Sequence, residues 1–255
     1  MTPRNVPLDL RSRLKDAATR RGAVAFGIAS VDAADSLPRV KIGFTVNRWT
    51  EPIRKGMPTA RSAVVFGIPS ADDADELEVH RSSGVISYPG YLPLSIISRD
   101  IISILRNEGW LATYPSELVH LKSLAMLSGL GSYGKNGLIV SEKHGPWLRF
   151  GTVVTDAPIP PDEPLERDLC GRCTRCVRAC PAGALEKAYS VDPDRCLVGA
   201  GELDNPPKDL RPLLAKYEPK LSPKTRVMCT ECQMACPYTP TERKRNVFQK
   251  GKKGK

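Results

Sequence analysis

Cysteine thiolates hold soft metals, and their spacing determines which metal assembly they fit. Cys170, Cys173, Cys176 and Cys180 run as C-x2-C-x2-C-x3-C, with Pro181 directly after. Steps of three wrap a tight loop around one iron–sulfur cube, so that three thiolates each reach a different iron. The fourth points away, towards a neighbouring cluster. The proline turns the chain out of the loop and removes a backbone donor. A second run, Cys229, Cys232 and Cys236, reads C-x2-C-x3-C and also ends on proline, Pro237. It is one cysteine short, and Cys196 completes the count. Two sets of four follow: Cys170, Cys173, Cys176 and Cys236 on one cluster, and Cys180, Cys196, Cys229 and Cys232 on the other. The predicted chemistry is electron transfer through two [4Fe–4S] clusters. Zinc also takes four cysteines, but the interleaved run is not a usual zinc spacing. Disulfides are disfavoured by the C-x2-C clustering and by a reducing compartment. Arg172, Arg175, Arg178 and Arg195 lie among the ligands. Two readings of them stand side by side: they raise the potential of an anionic cluster, or they face water.

The elements that position these thiols come next. All eight cysteines fall within residues 170–236 of a 255-residue chain, which marks a separate module. Before it, Leu10, Leu14, Ala17 and Ala18 recur at helical spacing, and Gly22 is a stop. Residues 24–31 and 62–69 read as buried strands. Residues 71–78 read as an acidic surface loop or short helix. Leu94, Ile97, Ile101, Ile104 and Leu105 predict a helix over 93–110, and a second helix is expected over 116–128. Residues 137–141 and 148–155 read as two strands of one hairpin with a long loop. Residues 158–164 carry four prolines and read as a linker. A short helix is expected over 210–217. The expected fold class is α/β (α+β), with an N-terminal domain over 1–162, a ferredoxin-like double-cluster domain over 163–242, and a basic, disordered tail over 243–255.

Composition excludes several classes. Hydrophobic residues are 41% and charged residues 26%, ordinary for a globular protein. No stretch approaches the ~18 apolar residues of a membrane span, and the polar N-terminus carries no signal core, so a cytoplasmic location without membrane contact is expected. The net charge is +10, but seven of those charges lie in residues 243–255, which contain no acid. That tail reads as a solvated arm; attraction to an acidic protein or nucleic acid is the alternative.

The cysteine segments CGRCTRCVRACPAGAL, VDPDRCL and MCTECQMACPYTP, together with GLGSYGKNGLIV, PWLRFGTVVTD and ISYPGYLPL, resemble the epoxyqueuosine reductase family, related to the cobalamin-dependent reductive dehalogenases. The resemblance runs from about Arg61 to Pro240. It implies a nitroreductase-like N-terminal sandwich that holds cobalamin beside one cluster, with Tyr88, Gly131, Lys135, Asn136 and Phe150 lining the cofactor. The residues themselves also permit plainer roles: glycines that cap and turn, a solvated lysine, a strand-core phenylalanine. Two departures stand out. Where the family carries its proton-donating aspartate, this chain has Pro115; Glu117 and His120 are nearby candidates, with helix capping and a helix-surface position as their plain readings. The sequence also stops nineteen residues after Cys236, where family members continue into a helical-repeat domain that helps hold tRNA. The implied activity is an iron–sulfur oxidoreductase fed by a ferredoxin or flavodoxin, with tRNA contact weakened. The alternative is a non-catalytic electron carrier that docks a partner enzyme and binds no cobalamin. The substrate and the catalytic residues are left open.

Overall fold

A computed structural model describes residues 5–42, 48–82 and 84–245. Helix α1 (Leu10–Arg20) turns Leu10, Leu14, Ala17 and Ala18 inward, as their spacing requires. It ends where Gly22 adopts φ +94°, a conformation that costs glycine nothing. Strand β1 (Ala25–Ser30) follows, then the short helices α2 (Val31–Ser36) and α3 (Ile53–Gly56). Strand β2 (Ser62–Pro69) leads through a 3₁₀ turn at Asp73–Glu76 into β3 (Leu77–His80) and β4 (Ile86–Ser87). Helix α4 (Leu92–Asn107) starts with proline in its first turn and buries Leu94, Ile97, Ile101, Ile102 and Leu105. Then come β5 (Ala112–Thr113), α5 (Leu121–Leu127), β6 (Ser132–Tyr133), β7 (Ile139–Val140) and β8 (Leu148–Thr155).

The main sheet is antiparallel in the order β1-β2-β8-β5. Its central strands are largely buried because both faces are covered. Val64, Phe66 and Ile68 face α1 and α4, while Ala63 and Val65 face α5, α2 and α3. The result is a three-layer α/β/α sandwich. Phe66 is fully buried at its centre, and truncating such a residue to alanine costs about 3–5 kcal/mol.

The cysteine-bearing part adds α6 (Arg175–Ala179), α7 (Leu197–Gly201), α8 (Arg211–Tyr217), β9 (Lys220–Ser222), β10 (Thr225–Val227), α9 (Glu231–Met234) and α10 (Thr241–Arg245). A second sheet, β4-β3-β10-β9, takes two strands from each side of the proline-rich segment. Arg226 pairs directly opposite Glu78 in it.

Several expectations are corrected. Residues 137–141 and 148–155 do not form one hairpin: β7 pairs with β6, and β8 pairs with β2 and β5. The apolar run of 148–155 fills the sheet centre, which leaves the shorter run to a local partner. The helix expected over 116–128 covers only Leu121–Leu127, and the preceding residues form a turn with Leu118 and Val119 buried. Glu117 therefore caps no helix; it is exposed and stands 3.9 Å from Arg48. Of the two readings of residues 71–78 the short helix holds, as the 3₁₀ turn Asp73–Glu76, but it is not wholly at the surface: Asp73 and Glu76 are buried and bind Arg243 and Arg149. The proline-rich segment lies strapped along β1: Asp162 accepts from the Ile28 amide at 2.8 Å and from Arg11 at 2.7 and 2.9 Å. Arg243, assigned to the tail, is buried with its guanidinium 4.0 Å over the Trp147 ring. The tail from residue 246 onward lies outside the described residues.

Candidate metal centre

The first cysteine loop is shaped by Asp168. Its carboxylate accepts from the Cys170 amide at 2.8 Å, the Gly171 amide at 3.2 Å and the Tyr189 phenol at 2.8 Å. These donors hold its pKa below the usual carboxylate range. Gly171, at φ +44°, lets the chain reverse, and the Cys173 amide then bonds back to the Cys170 carbonyl at 2.8 Å. Helix α6 carries Cys176, α9 carries Cys232, and the two helices pack together. Each cysteine run thus feeds its last thiol across to the other run.

Cys170, Cys173, Cys176 and Cys236 line one cavity with Asn136, Val140, Leu169, Pro237 and Tyr238. The thiols of Cys180, Cys196, Cys229 and Cys232 face one another in a second group. Cys232 also lies near Cys176, so the two groups adjoin. All eight are free thiols. Burial pushes the Cys196 and Cys232 thiols up and Cys229 to about 12. Such thiols are poor nucleophiles at neutral pH and ionise when a bound metal supplies compensating charge. Among the described residues no three His, Cys, Asp or Glu side chains converge on a point that one ion could occupy. The C-x2-C-x2-C-x3-C spacing and the two sets of four thiols suit a cube with each thiol on its own metal atom.

Backbone donors reach the thiols as well. The Lys135 amide stands 3.4 Å from the Cys170 sulfur, and the Ala184 amide 3.3 Å from the Cys180 sulfur. Below the second group, Glu218 accepts from the Cys229 amide at 2.9 Å and from Arg226. Arg226 also grips Glu78 with two bonds, at 2.9 and 2.8 Å, and reaches the Val198 carbonyl at 3.0 Å. Burial raises Glu218 to about 7 despite Arg226. Lys122 donates to the Gly137 carbonyl at 2.7 Å; burial lowers its pKa, and the charge of the nearby Cys196 and Cys232 works against that shift. Sequence reasoning missed Lys122, Glu218 and Arg226. Asp168 was detectable, because an aspartate two residues before a loop cysteine is an Asx-turn signal.

Of the five positions expected to line a cofactor, Lys135 and Asn136 lie at the first thiol set and Gly131 lies against Val140 of its cavity. Lys135 sits on the first cysteine loop, its Nζ donating to the Gly171 carbonyl at 2.6 Å. Asn136 is buried in the first thiol cavity. Gly131 lies directly before β6, where a Cβ would come 2.5 Å from the Val140 carbonyl oxygen. Phe150 packs on the α5 face of the sheet. Tyr88 donates to Glu202 at 2.7 Å and stacks edge-on against Tyr91. Arg172, Arg175, Arg178 and Arg195 are all exposed. His120 is not a helix-surface residue: its Nδ1 is 2.7 Å from the Ser123 hydroxyl, its Nε2 is 3.2 Å from the Tyr133 phenol oxygen, and burial lowers its pKa to about 4.

Residues 169–239 match the family model of the 4Fe-4S double cluster binding domain. The epoxyqueuosine reductase of Yersinia pestis is 37% identical over 120 residues, covering 46% of this chain and 27% of that protein, so the match spans under a third of the relative. Among solved structures, epoxyqueuosine reductase from Bacillus subtilis superposes with a TM-score of 0.71 at 20% identity, over 95% of this chain and 68% of that one. An epoxyqueuosine reductase with an epoxyqueuosine-modified tRNA-Tyr stem loop gives 0.69 at 19% identity, over 96% and 68%. A reductive dehalogenase described as B12-dependent gives 0.62 at 18%, over 96% and 34%. The chain thus carries a double 4Fe-4S cluster domain, resembles epoxyqueuosine reductases in sequence over just under half its length, and shares its mixed α/β fold with them and with reductive dehalogenases.

Proposed function

We propose that the protein is an iron–sulfur oxidoreductase of epoxyqueuosine reductase type. Cys170, Cys173, Cys176 and Cys236 hold one [4Fe–4S] cluster, and Cys180, Cys196, Cys229 and Cys232 hold the other. The observation that carries this reading is the exchange of thiols between the two cysteine runs, which builds two adjoining donor groups. Electrons entering one cluster pass to the second and then to an acceptor held by the sandwich. Likeness to a B12-dependent dehalogenase favours cobalamin as that acceptor. Lys135 and Asn136, at the first thiol set, would lie beside that cofactor. Likeness to a tRNA-bound relative favours an RNA substrate. The carrier reading is favoured by one residue, Pro115, which stands where the resemblance requires an acid.

The test is anaerobic purification with iron, zinc and corrinoid analysis. About eight irons per chain are expected. Corrinoid retained after reconstitution with cobalamin supports the enzyme; its repeated absence with both clusters intact supports the carrier. Cys196→Ala should lose or convert one cluster and spare the other. Unchanged iron in that variant overturns the ligand division.

A further inference from the structure

The first cysteine loop presents a row of cations to solvent. Arg172 and Arg175 each precede a thiol of the first set, Cys173 and Cys176, and Arg178 follows one turn later on α6. All three are exposed. Among the described residues none of the three forms an ion pair, whereas the flanking Arg167 and Arg195 reach Glu142 and Asp209. Arg178 bonds only within its own turn, to the Thr174 hydroxyl at 2.5 Å. Asp168 stays ionised under its bonds from the Cys170 and Gly171 amides and Tyr189 but forms no ion pair with the row, so the three cations outnumber it. Exposed Arg172 and Arg175 stand directly beside Cys173 and Cys176 in the chain, so a carrier seated on this face meets the first set.

A cluster with four thiolates is anionic and repels an acidic protein. A cationic rim reverses that repulsion and steers the encounter. We propose that the face formed by Arg172, Arg175 and Arg178 docks a small acidic one-electron carrier protein, which reduces the first cluster. This rests on the cluster assignment above. The transfer balances as one electron: a flavin hydroquinone on the carrier becomes a semiquinone and keeps its proton, and one cluster passes from its oxidised to its reduced core. Single-stranded RNA is the less favoured occupant of this face, because its recognition stacks successive bases on aromatic rings, whereas the run from Cys170 to Cys180 contains no aromatic residue and the exposed Tyr189 beside it is tied to Asp168.

The experiment uses the anaerobic holoprotein, with iron measured before any donor is added. A preparation without iron overturns the cluster assignment itself, and the docking proposal with it. With clusters present, reduction by flavodoxin hydroquinone is followed by stopped flow. Replacing all three residues, as Arg172→Gln, Arg175→Gln and Arg178→Gln, should slow this reduction at least about tenfold at low ionic strength. Reduction by photoreduced 5-deazariboflavin, which is uncharged, should be unchanged. Equal flavodoxin rates in parent and triple variant overturn the proposal. If the variant loads less iron, the parent decides: a rate that falls with added salt supports docking, and a salt-independent rate overturns it. Weakened binding of a tRNA stem loop with an unaltered flavodoxin rate makes this an RNA face and overturns the proposal.

Discussion

Lys122 places a positive charge beside Cys196 and Cys232 and is fixed there by the Gly137 carbonyl. A fixed cation favours the reduced, more negative cluster. Lys122→Met should therefore lower the potential of the second cluster by about 60 mV, one tenfold step of a one-electron couple, and leave the first unchanged; potentiometric EPR titration reads both. His120 supplies a pH signature. Its pKa drops from 6.5 to about 4 on folding because burial disfavours the imidazolium. The unfolded chain then binds the extra proton first, so this contribution is complete above about 6.5 and is lost as pH falls towards 4. His120→Gln should flatten the dependence of melting temperature on pH in that window. The thiols were legible in the sequence because their spacing along the chain is itself the ligand geometry. Lys122, Glu218 and Arg226 were not, because tertiary packing brings each to the thiols from a distant element.

At the scale of elements, the β3–β10 pairing depends on a buried cation. Arg226 threads between Glu78 and Glu218 beside α7, and a Cβ on Gly201 would fall 1.1 Å from its Nη1. Gly201→Ala must displace the guanidinium and leave buried carboxylates unmatched. We expect a loss of about 3–5 kcal/mol, measured by anaerobic denaturant unfolding of the cluster-loaded protein, with an equal effect from Arg226→Ala. Sequence patterns located α1, α4, β2 and β8 well, since each buries a continuous or 3.6-periodic apolar set. They missed β3 and β6, and they found β7 but gave it the wrong partner. Strands of two to four residues carry too little pattern of their own, and their partners lie elsewhere in the chain.

Across the whole molecule, the C-terminal segment closes over the sandwich. Arg243 binds Asp73 at 2.8 Å and caps the Trp147 ring, whose Nε1 donates to the Thr239 hydroxyl at 3.0 Å. Truncation after Arg245 should leave iron content and melting temperature unchanged. Truncation after Glu242 removes the buried cation and should lower the melting temperature by several degrees, as a thermal shift on the anaerobic protein would show. The joint sheet has a further consequence for biosynthesis. Arg226 is synthesised 148 residues after Glu78, so in every nascent chain that has not reached β10 Glu78 lacks its guanidinium and β3 lacks a neighbour on that edge. Iron delivery then belongs after β10 has emerged, to a polypeptide in which these two strands have already met.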